Sequence, residues 1–353
     1  MVLRSCRAPA VFAAVAMAGC GDGVGVLLGE VTLIGQRAQA GTDAPAVVDA
    51  QPPADDEGSD SNPSIPDAAA ESDTIPDAAA DADADADGGA FGVPVLVSEL
   101  VAAGYLDYKE TLTADMLEIF FISDRPGGPG GQDIWHATRA HVTDPWGTPS
   151  CVVEVSSPLQ ETGPAVSPDG LTLWFSSDRP GGKGGYDIWV STRPTSTALA
   201  WSAPKLVPEL NTASDEYPRP PVQSGLVMPP SYREKLPNNQ FQTFLTSRAS
   251  GNAAWGAPAR IAEVDTANID TDGFLTDDEL VLYFSSDRVV QGDQDLYVAR
   301  RAGLPSSFTS IVPIAELNTP AHQERDPWVS HDGREIYFSS DRSGTLQIYH
   351  ATR

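Results

Sequence analysis

The segment Phe91–Leu100 (FGVPVLVSEL) recurs at Trp146–Val155, Trp201–Leu210, Trp255–Val264 and Phe308–Leu317, with starts separated by 55, 55, 54 and 53 residues. A second landmark, the arginine that closes a strand such as DIWVSTR, falls at Arg139, Arg193, Arg248, Arg300 and Arg353, in steps of 54, 55, 52 and 53. Two landmarks sharing one period define a tandem array. A unit of this length fits a four-stranded propeller blade rather than a helical solenoid repeat, and no segment carries the 3.6-residue apolar pattern of an amphipathic helix.

The strands of one unit can be read directly. In the second unit they run Glu161–Ser167, Leu171–Ser177, Asp187–Arg193 and Trp201–Leu210, joined by Pro, Asp and Gly turns. The second strand is almost continuously apolar, at Leu117–Ile122, Leu171–Phe175, Leu280–Phe284 and Ile336–Phe338. A strand with one wet face alternates, so continuous apolarity means cover on both faces, as in a blade packed between two neighbours. The third-strand aromatics Trp135, Trp189, Phe244, Tyr297 and Tyr349 belong to the same packing. The array opens on a fourth-strand segment at Phe91 and closes on a third-strand segment at Arg353, so the first strand is expected to complete the last blade and remove the open sheet edges. The expected fold is all-β: a five-bladed β-propeller of four-stranded blades, closed by its N-terminal strand.

Upstream of the array the composition changes. No Lys or Arg occurs between Arg37 and Lys109, while fourteen acids lie from Asp43 to Asp87, about half of the net charge of -27. This Ala/Asp/Pro/Gly stretch cannot bury enough apolar area to offset chain entropy and reads as a disordered acidic tether. The acidic balance, with no basic cluster, excludes nucleic acid as a partner. The run Asp81, Asp83, Asp85, Asp87 begins like a calcium loop, but the closing Glu counted from Asp83 falls on Pro94. Nearer the N-terminus, Arg4 and Arg7 lead into the apolar run Ala8–Ala18, too short to span a bilayer but suited to a signal peptide that also contains Cys6.

The run ends in Met17-Ala18-Gly19-Cys20, which resembles the lipobox of bacterial lipoproteins, with Met17 where that pattern usually has Leu. The resemblance implies a signal peptide at 1–19, a lipidated N-terminus and linker at 20–90, and the propeller at 91–353. It also implies export across the inner membrane, to the periplasmic face of the outer membrane or the cell surface, with the lipid on Cys20 as the one membrane contact. An ordinary cleavage site at Ala38-Gln39-Ala40, giving a soluble secreted product, is the alternative. Cys151 reads as a small apolar strand residue.

The stretch Ser167–Arg193 (SPDGLTLWFSSDRPGGKGGYDIWVSTR) resembles the WD40-like propeller repeats of the TolB type found in bacterial envelope proteins. The resemblance covers 91–353 and rests on Ser167-Pro168-Asp169-Gly170, on Ser330-His331-Asp332-Gly333, and on Ser-Asp-Arg at 123–125, 177–179, 286–288 and 340–342. No stretch matches the domain that precedes the propeller in TolB itself, so the resemblance implies fold and compartment but not the same partner. The Ser-Pro-Asp-Gly turn departs from the S-x-D-x-G box of sialidases.

Every unit carries an acid at the start of its first strand: Asp107, Glu161, Glu216, Asp270 and Glu324. First strands line a propeller's channel, so these carboxylates are candidates for a ring at one mouth that would hold a cation or a basic ligand group. Recurrence in all five units equally fits a contact inside each blade, with an Arg or backbone amides as partners. The recurrent Ser-Asp-Arg triplets read as structural pairs for the same reason. The third unit departs from the others, with Pro229 and Pro230 in its second strand and Tyr232, Arg233, Glu234 and Lys235 where the second unit has Ser-Asp-Arg-Pro. The prolines predict a locally irregular strand; drift of one repeat is the reading preferred for this unit, and the alternative is a partner loop over Tyr232–Phe241, with Tyr232, Arg233, Glu234 and Lys235 as its candidate contacts.

Catalytic patterns are missing from the sequence. There is no GxSxG motif, the five histidines have no metal spacing, and the repeated acids do not form the unlike pair that a glycosidase needs. No catalytic residue, resident cofactor or structural metal is expected. The function expected is therefore recognition by a monomeric propeller of an envelope protein, peptide or glycan. A hydrolase acting on a glycan or lactone, or a plain structural spacer, remains as the alternative.

Overall fold

The computed structural model describes residues 89–198, 200–233 and 240–353. Cys20, the signal peptide and nearly all of the linker, together with Glu234 and Lys235, therefore lie outside the described residues. Among the described residues there is no α-helix, and the strands form five sheets arranged as the blades of a propeller.

Four blades follow one plan. Blade 1 consists of Asp107–Leu112, Glu118–Ser123, Asp133–Thr138 and Ser150–Cys151, and blade 2 of Glu161–Val166, Thr172–Ser177, Asp187–Thr192 and Lys205–Leu206. Blade 4 consists of Asp270–Leu275, Val281–Val290, Asp293–Arg300 and Ser310–Pro313. Blade 5 takes Glu324–Val329, Glu335–Ser340 and Gln347–Thr352 from the C-terminal part of the chain and its outer strand, Val95–Leu96, from the N-terminal part. Val95 pairs with His350 and Leu96 with Tyr349. The Gly92 amide donates to the Thr352 carbonyl at 2.7 Å, and the Arg353 guanidinium lies 4.5 Å from the Phe91 ring.

The ring is also closed by its apolar packing. Alternate residues of the second strand of blade 1 face opposite ways: Ile119 and Phe121 pack with Trp328, Tyr337 and Ile348 of blade 5, whereas Phe120 and Ile122 pack with Leu173 and Phe175 of blade 2. Three further clusters join blades 2 and 3, 3 and 4, and 4 and 5. All four of those blade 1 residues are at 0% exposure, which is the cover on both faces that their unbroken apolarity predicts.

The fourth strands are shorter than expected, two residues in four blades against the ten-residue segments of the repeat. Pro94, Pro149, Pro204 and Pro258 stand at their entry and lack the N–H that a ladder requires, so pairing begins only after them. A repeated arginine then fixes each segment to its blade. Arg139, Arg193, Arg248, Arg301 and Arg353 lie 4.2, 4.5, 4.5, 4.7 and 4.5 Å from the rings of Trp146, Trp201, Trp255, Phe308 and Phe91. In the fourth unit this role belongs to Arg301, one residue beyond the landmark expected at Arg300.

Blade 3 is irregular where the prolines stand. Its second strand is split into Val227–Met228 and Ser231–Arg233, both paired with Phe241–Ser247, and Pro230 retains only its carbonyl, which accepts from the Phe244 amide at 2.9 Å. Glu216–Tyr217 and Ala259–Arg260 complete the blade.

Candidate functional site

The five inner strands bring equivalent residues together ring by ring. Counting each strand's acid as position one, positions one to four read Asp-Tyr-Lys-Glu (107–110), Glu-Thr-Gly-Pro (161–164), Glu-Tyr-Pro-Arg (216–219), Asp-Thr-Asp-Gly (270–273) and Glu-Arg-Asp-Pro (324–327). Position one is an acid in every blade, whereas no two blades share the same combination at positions two to four.

The uniform acids do not line the channel mouth. Asp107, Glu161, Glu216, Asp270 and Glu324 are each at 0% exposure. Glu161 Oε1 accepts from Ser177 Oγ and Arg179 Nη2, both at 2.8 Å, while its Oε2 accepts from the Ser157 amide. Asp270 takes Ser286, Arg288 and the Thr266 amide, and Glu324 takes Ser340, Arg342 and the Thr319 amide. Asp107 takes Arg125 and the Ala102 amide. Each arginine is held between aromatic rings, as Arg179 is between Phe175 at 5.0 Å and Trp189 at 5.3 Å. The expected acidic ring is thus resolved into five separate contacts within blades, and among the described residues no group of three or more acids, histidines or cysteines is placed to hold a metal ion. The cause is local: in the four blades that carry Ser-Asp-Arg its arginine reaches back to the acid of the same blade, joined in blades 2, 4 and 5 by its serine.

Blade 3 lacks that serine and arginine, since Tyr232 and Glu234 stand in their places. Tyr232, expected in a partner loop, is buried in the strand Ser231–Arg233, and its hydroxyl donates to the Leu210 carbonyl at 2.6 Å. The equivalent carbonyl of blade 2, on Val155, is the one Arg179 reaches. Tyr232 thus replaces the arginine's bond but not its charge. Glu216 keeps Thr212 Oγ1 as a donor, and burial pushes its carboxyl up to about 7.

Below the first ring the strands are bulged. Pairing shifts between Tyr108 and Thr111, Thr162 and Ala165, Thr271 and Phe274, and Arg325 and Trp328. Position three turns left-handed, with φ of 57° at Lys109, 54° at Gly163, and 59° at Asp272 and Asp326. Side-chain-bearing residues adopt this region at a cost, and here the preceding blade holds the backbone in place. The amides of Lys109, Asp272 and Asp326 donate to Ser339, Ser231 and Ser285 Oγ at 3.1, 3.0 and 3.2 Å. The bulge cancels the strand's alternation, so that positions two and three both face the channel.

The outcome is a network of unlike charges. Lys109 Nζ lies 3.5 Å from Asp272 Oδ1 and 3.3 Å from Asp326 Oδ1, and Arg219 Nη1 lies 3.4 Å from Asp326 Oδ1. Arg325 Nε is 3.7 Å from Asp326 Oδ2. Glu110 Oε2 accepts from Ser339 Oγ at 2.8 Å. Glu110 Oε1, Arg219 Nε and Asp326 Oδ2 are buried without a hydrogen-bond partner in the protein. Burial, and then the neighbouring Asp326, hold the Glu110 carboxyl well above the usual carboxylate range. Burial and Asp326 also raise Asp272, whereas at Asp326 the effect of burial is outweighed by Lys109, Arg325 and Arg219, which lower it. Burial disfavours the Lys109 ammonium, but the two aspartates more than compensate and raise it.

Above this floor opens a cavity of about 300 Å³. Its wall takes position two from all five blades, Tyr108, Thr162, Tyr217, Thr271 and Arg325, and its rim takes Gln132, Tyr186, Phe241 and Gln294 from the starts of four third strands. Tyr186 and Tyr217 rings are 5.7 Å apart, and Phe241 meets Tyr217 edge-on at 5.1 Å. Lys109 and Asp272 reach into the cavity from below. Of these lining residues only Phe241, at the end of the candidate loop, was among the candidates drawn from the sequence. The signal that finds them is the contrast between a constant first position and three variable ones after it. His136, His322, His331 and His350 each pair with an acid of the surface or strand edges, away from this cavity.

No family model matches the sequence, and no curated protein does. Among solved structures the chain is similar to a putative TolB from Agrobacterium tumefaciens, at 16% identity over 70% of this chain and 76% of that one, with a TM-score of 0.44. It is similar to TolB from Acinetobacter baumannii at 13% identity over 72% of this chain and 56% of that one, with a TM-score of 0.43. It is also similar to the α-L-arabinofuranosidase PaAbf62A from Podospora anserina, solved with cellotriose, at 11% identity over 70% of this chain and 90% of that one, with a TM-score of 0.46. At such values the likenesses carry no argument about function.

Proposed function

We propose that the protein is a lipid-anchored binding protein of the bacterial envelope, whose propeller receives the end of an envelope glycan at the mouth of its channel. The observation that carries this reading is the loss of five-fold symmetry around the cavity, where four aromatic rings stand beside amide and hydroxyl groups. Aromatic faces cover the C–H face of a sugar ring, while amides and hydroxyls bond to its edge. The anchor rests on Met17–Cys20, and the compartment on the TolB-type repeats. Titration of the protein with envelope oligosaccharides, and separately with peptides, followed by NMR or calorimetry, tests the reading. Saccharide binding that is lost in Tyr217→Ala is expected, and binding of peptides alone would overturn it. Mass spectrometry of the N-terminal peptide is expected to find diacylglycerol on Cys20; an unmodified N-terminus at Gly41 would remove the anchor.

A second reading, glycan hydrolysis, is favoured by one observation: Glu110 and Asp326 are pushed in opposite directions, as an acid and a base would be. Binding without turnover remains the proposal, because both carboxyls are at 0% exposure and Asp326 is taken up by three cations. Release of reducing ends from a bound oligosaccharide, abolished by Glu110→Gln, would establish the enzyme instead.

A further inference from the structure

We infer that the cavity selects sugars bearing a carboxylate, such as uronic acids, and that Arg325 is the residue that reads this group; the inference rests on the glycan-binding reading above. Arg325 is the one position-two residue with a charge, and it lines the cavity with a side chain 22% exposed. Its guanidinium lies 5.3 Å from the Tyr108 ring, which fixes the plane of the group. Its contact with Asp326 is a 3.7 Å approach through Nε, and that Nε has no hydrogen-bond partner in the protein. The planar fork of Nη1 and Nη2 is thereby left to a ligand, and a carboxylate matches it in a bidentate pair.

The charge balance points the same way. Among the residues that line the cavity two are cations, Lys109 and Arg325, against one acid, Asp272. The acidity of the chain as a whole does not offset this locally, because about half of the net charge of -27 lies between Asp43 and Asp87. A volume of about 300 Å³ sits at the lower end of the ~300–1,000 Å³ range of small-ligand pockets and suits a terminal sugar rather than a long chain.

The test compares trigalacturonate and triglucuronate, each beside its methyl ester, which keeps the rings and hydroxyls but removes the charge. The native protein is expected to bind an acid form at least about tenfold more tightly than its ester, the cost of a lost charge-assisted pair. Arg325→Gln is expected to abolish that preference, and Arg325→Lys, which keeps the charge but not the fork, to restore only part of it. Equal binding of acid and ester by the native protein would overturn the inference and leave the glycan reading standing. Binding of neither would overturn both. A preference for the acid that survives in Arg325→Gln would assign the charge reading elsewhere and also overturn the inference. Near-UV circular dichroism of each variant checks that the propeller has folded, and the comparison within the native protein does not depend on any variant.

Discussion

The first ring of the inner strands and the three rings below it occupy neighbouring turns of the same five strands, yet they are opposite in kind. In the first, the same carboxylate is buried five times and bonded inside its own blade. In those below, tyrosine, threonine, lysine, arginine, aspartate, glutamate, glycine and proline alternate without pattern, and their side chains meet across the channel. A contact made in every blade is what the lattice of the wheel requires; a residue found in one blade answers to something that lacks the wheel's symmetry. The contrast separates scaffold from site within one chain.

The comparison breaks most sharply if the two regions fail to respond separately. Arg179→Ala leaves Glu161 buried without its cation, which is expected to cost about 3 kcal/mol and lower Tm by roughly 6–12 °C in a domain of this size. Calorimetric melting measures this, and ligand affinity should be unchanged. Glu216 sharpens the same point from inside the first ring, because it has no arginine. Burial pushes its carboxyl up to about 7, above the ordinary glutamate value of 4.5, so the folded state holds a proton that the unfolded chain releases, and stability falls as pH rises between those values. The penalty is complete above pH 7 and absent below about pH 4.5. Glu216→Gln is therefore expected to stabilise the protein by about 2 kcal/mol at pH 8 and by almost nothing at pH 4.5, as read from denaturant midpoints at the two pH values. Glu161→Gln, with its arginine intact, should destabilise at both. The smallest effect on stability belongs to the rim: Tyr186→Ala should change it by less than about 0.5 kcal/mol while weakening saccharide binding about tenfold.

Blade number was legible in the sequence because the unit recurs five times, closure because the array opens on a fourth strand and ends on a third, and the both-sided burial of the second strands because four units repeat it, as in Phe121, Phe175, Phe284 and Phe338. The irregularity of blade 3 was legible because Pro229 and Pro230 remove ladder donors. The site was not, for two physical reasons. Repetition marks the first-ring acids, each of which is satisfied inside its own blade. Lys109, Asp272 and Asp326 sit at positions that a regular strand would turn away from the channel, and only the left-handed bulge brings them beside Tyr108, Thr271 and Arg325. Tyr232 belongs to a strand and not to a loop, and the sequence does not show this because nothing in it tells that the hydroxyl makes the bond an arginine makes in blade 2.

The pairing of Val95–Leu96 with Tyr349 and His350 joins parts of the chain more than 250 residues apart. During synthesis, residues 91–96 emerge early and must wait for the strand Gln347–Thr352, so the first four blades can assemble before the fifth is latched. Until then Ile119 and Phe121 of blade 1 lack the Trp328, Tyr337 and Ile348 side chains that cover them, and the interval is set by how quickly the remaining chain arrives. Slow translation of the last unit would thus lengthen the time the molecule spends as an unlocked arc, the state in which it is most exposed to proteases and to its own neighbours.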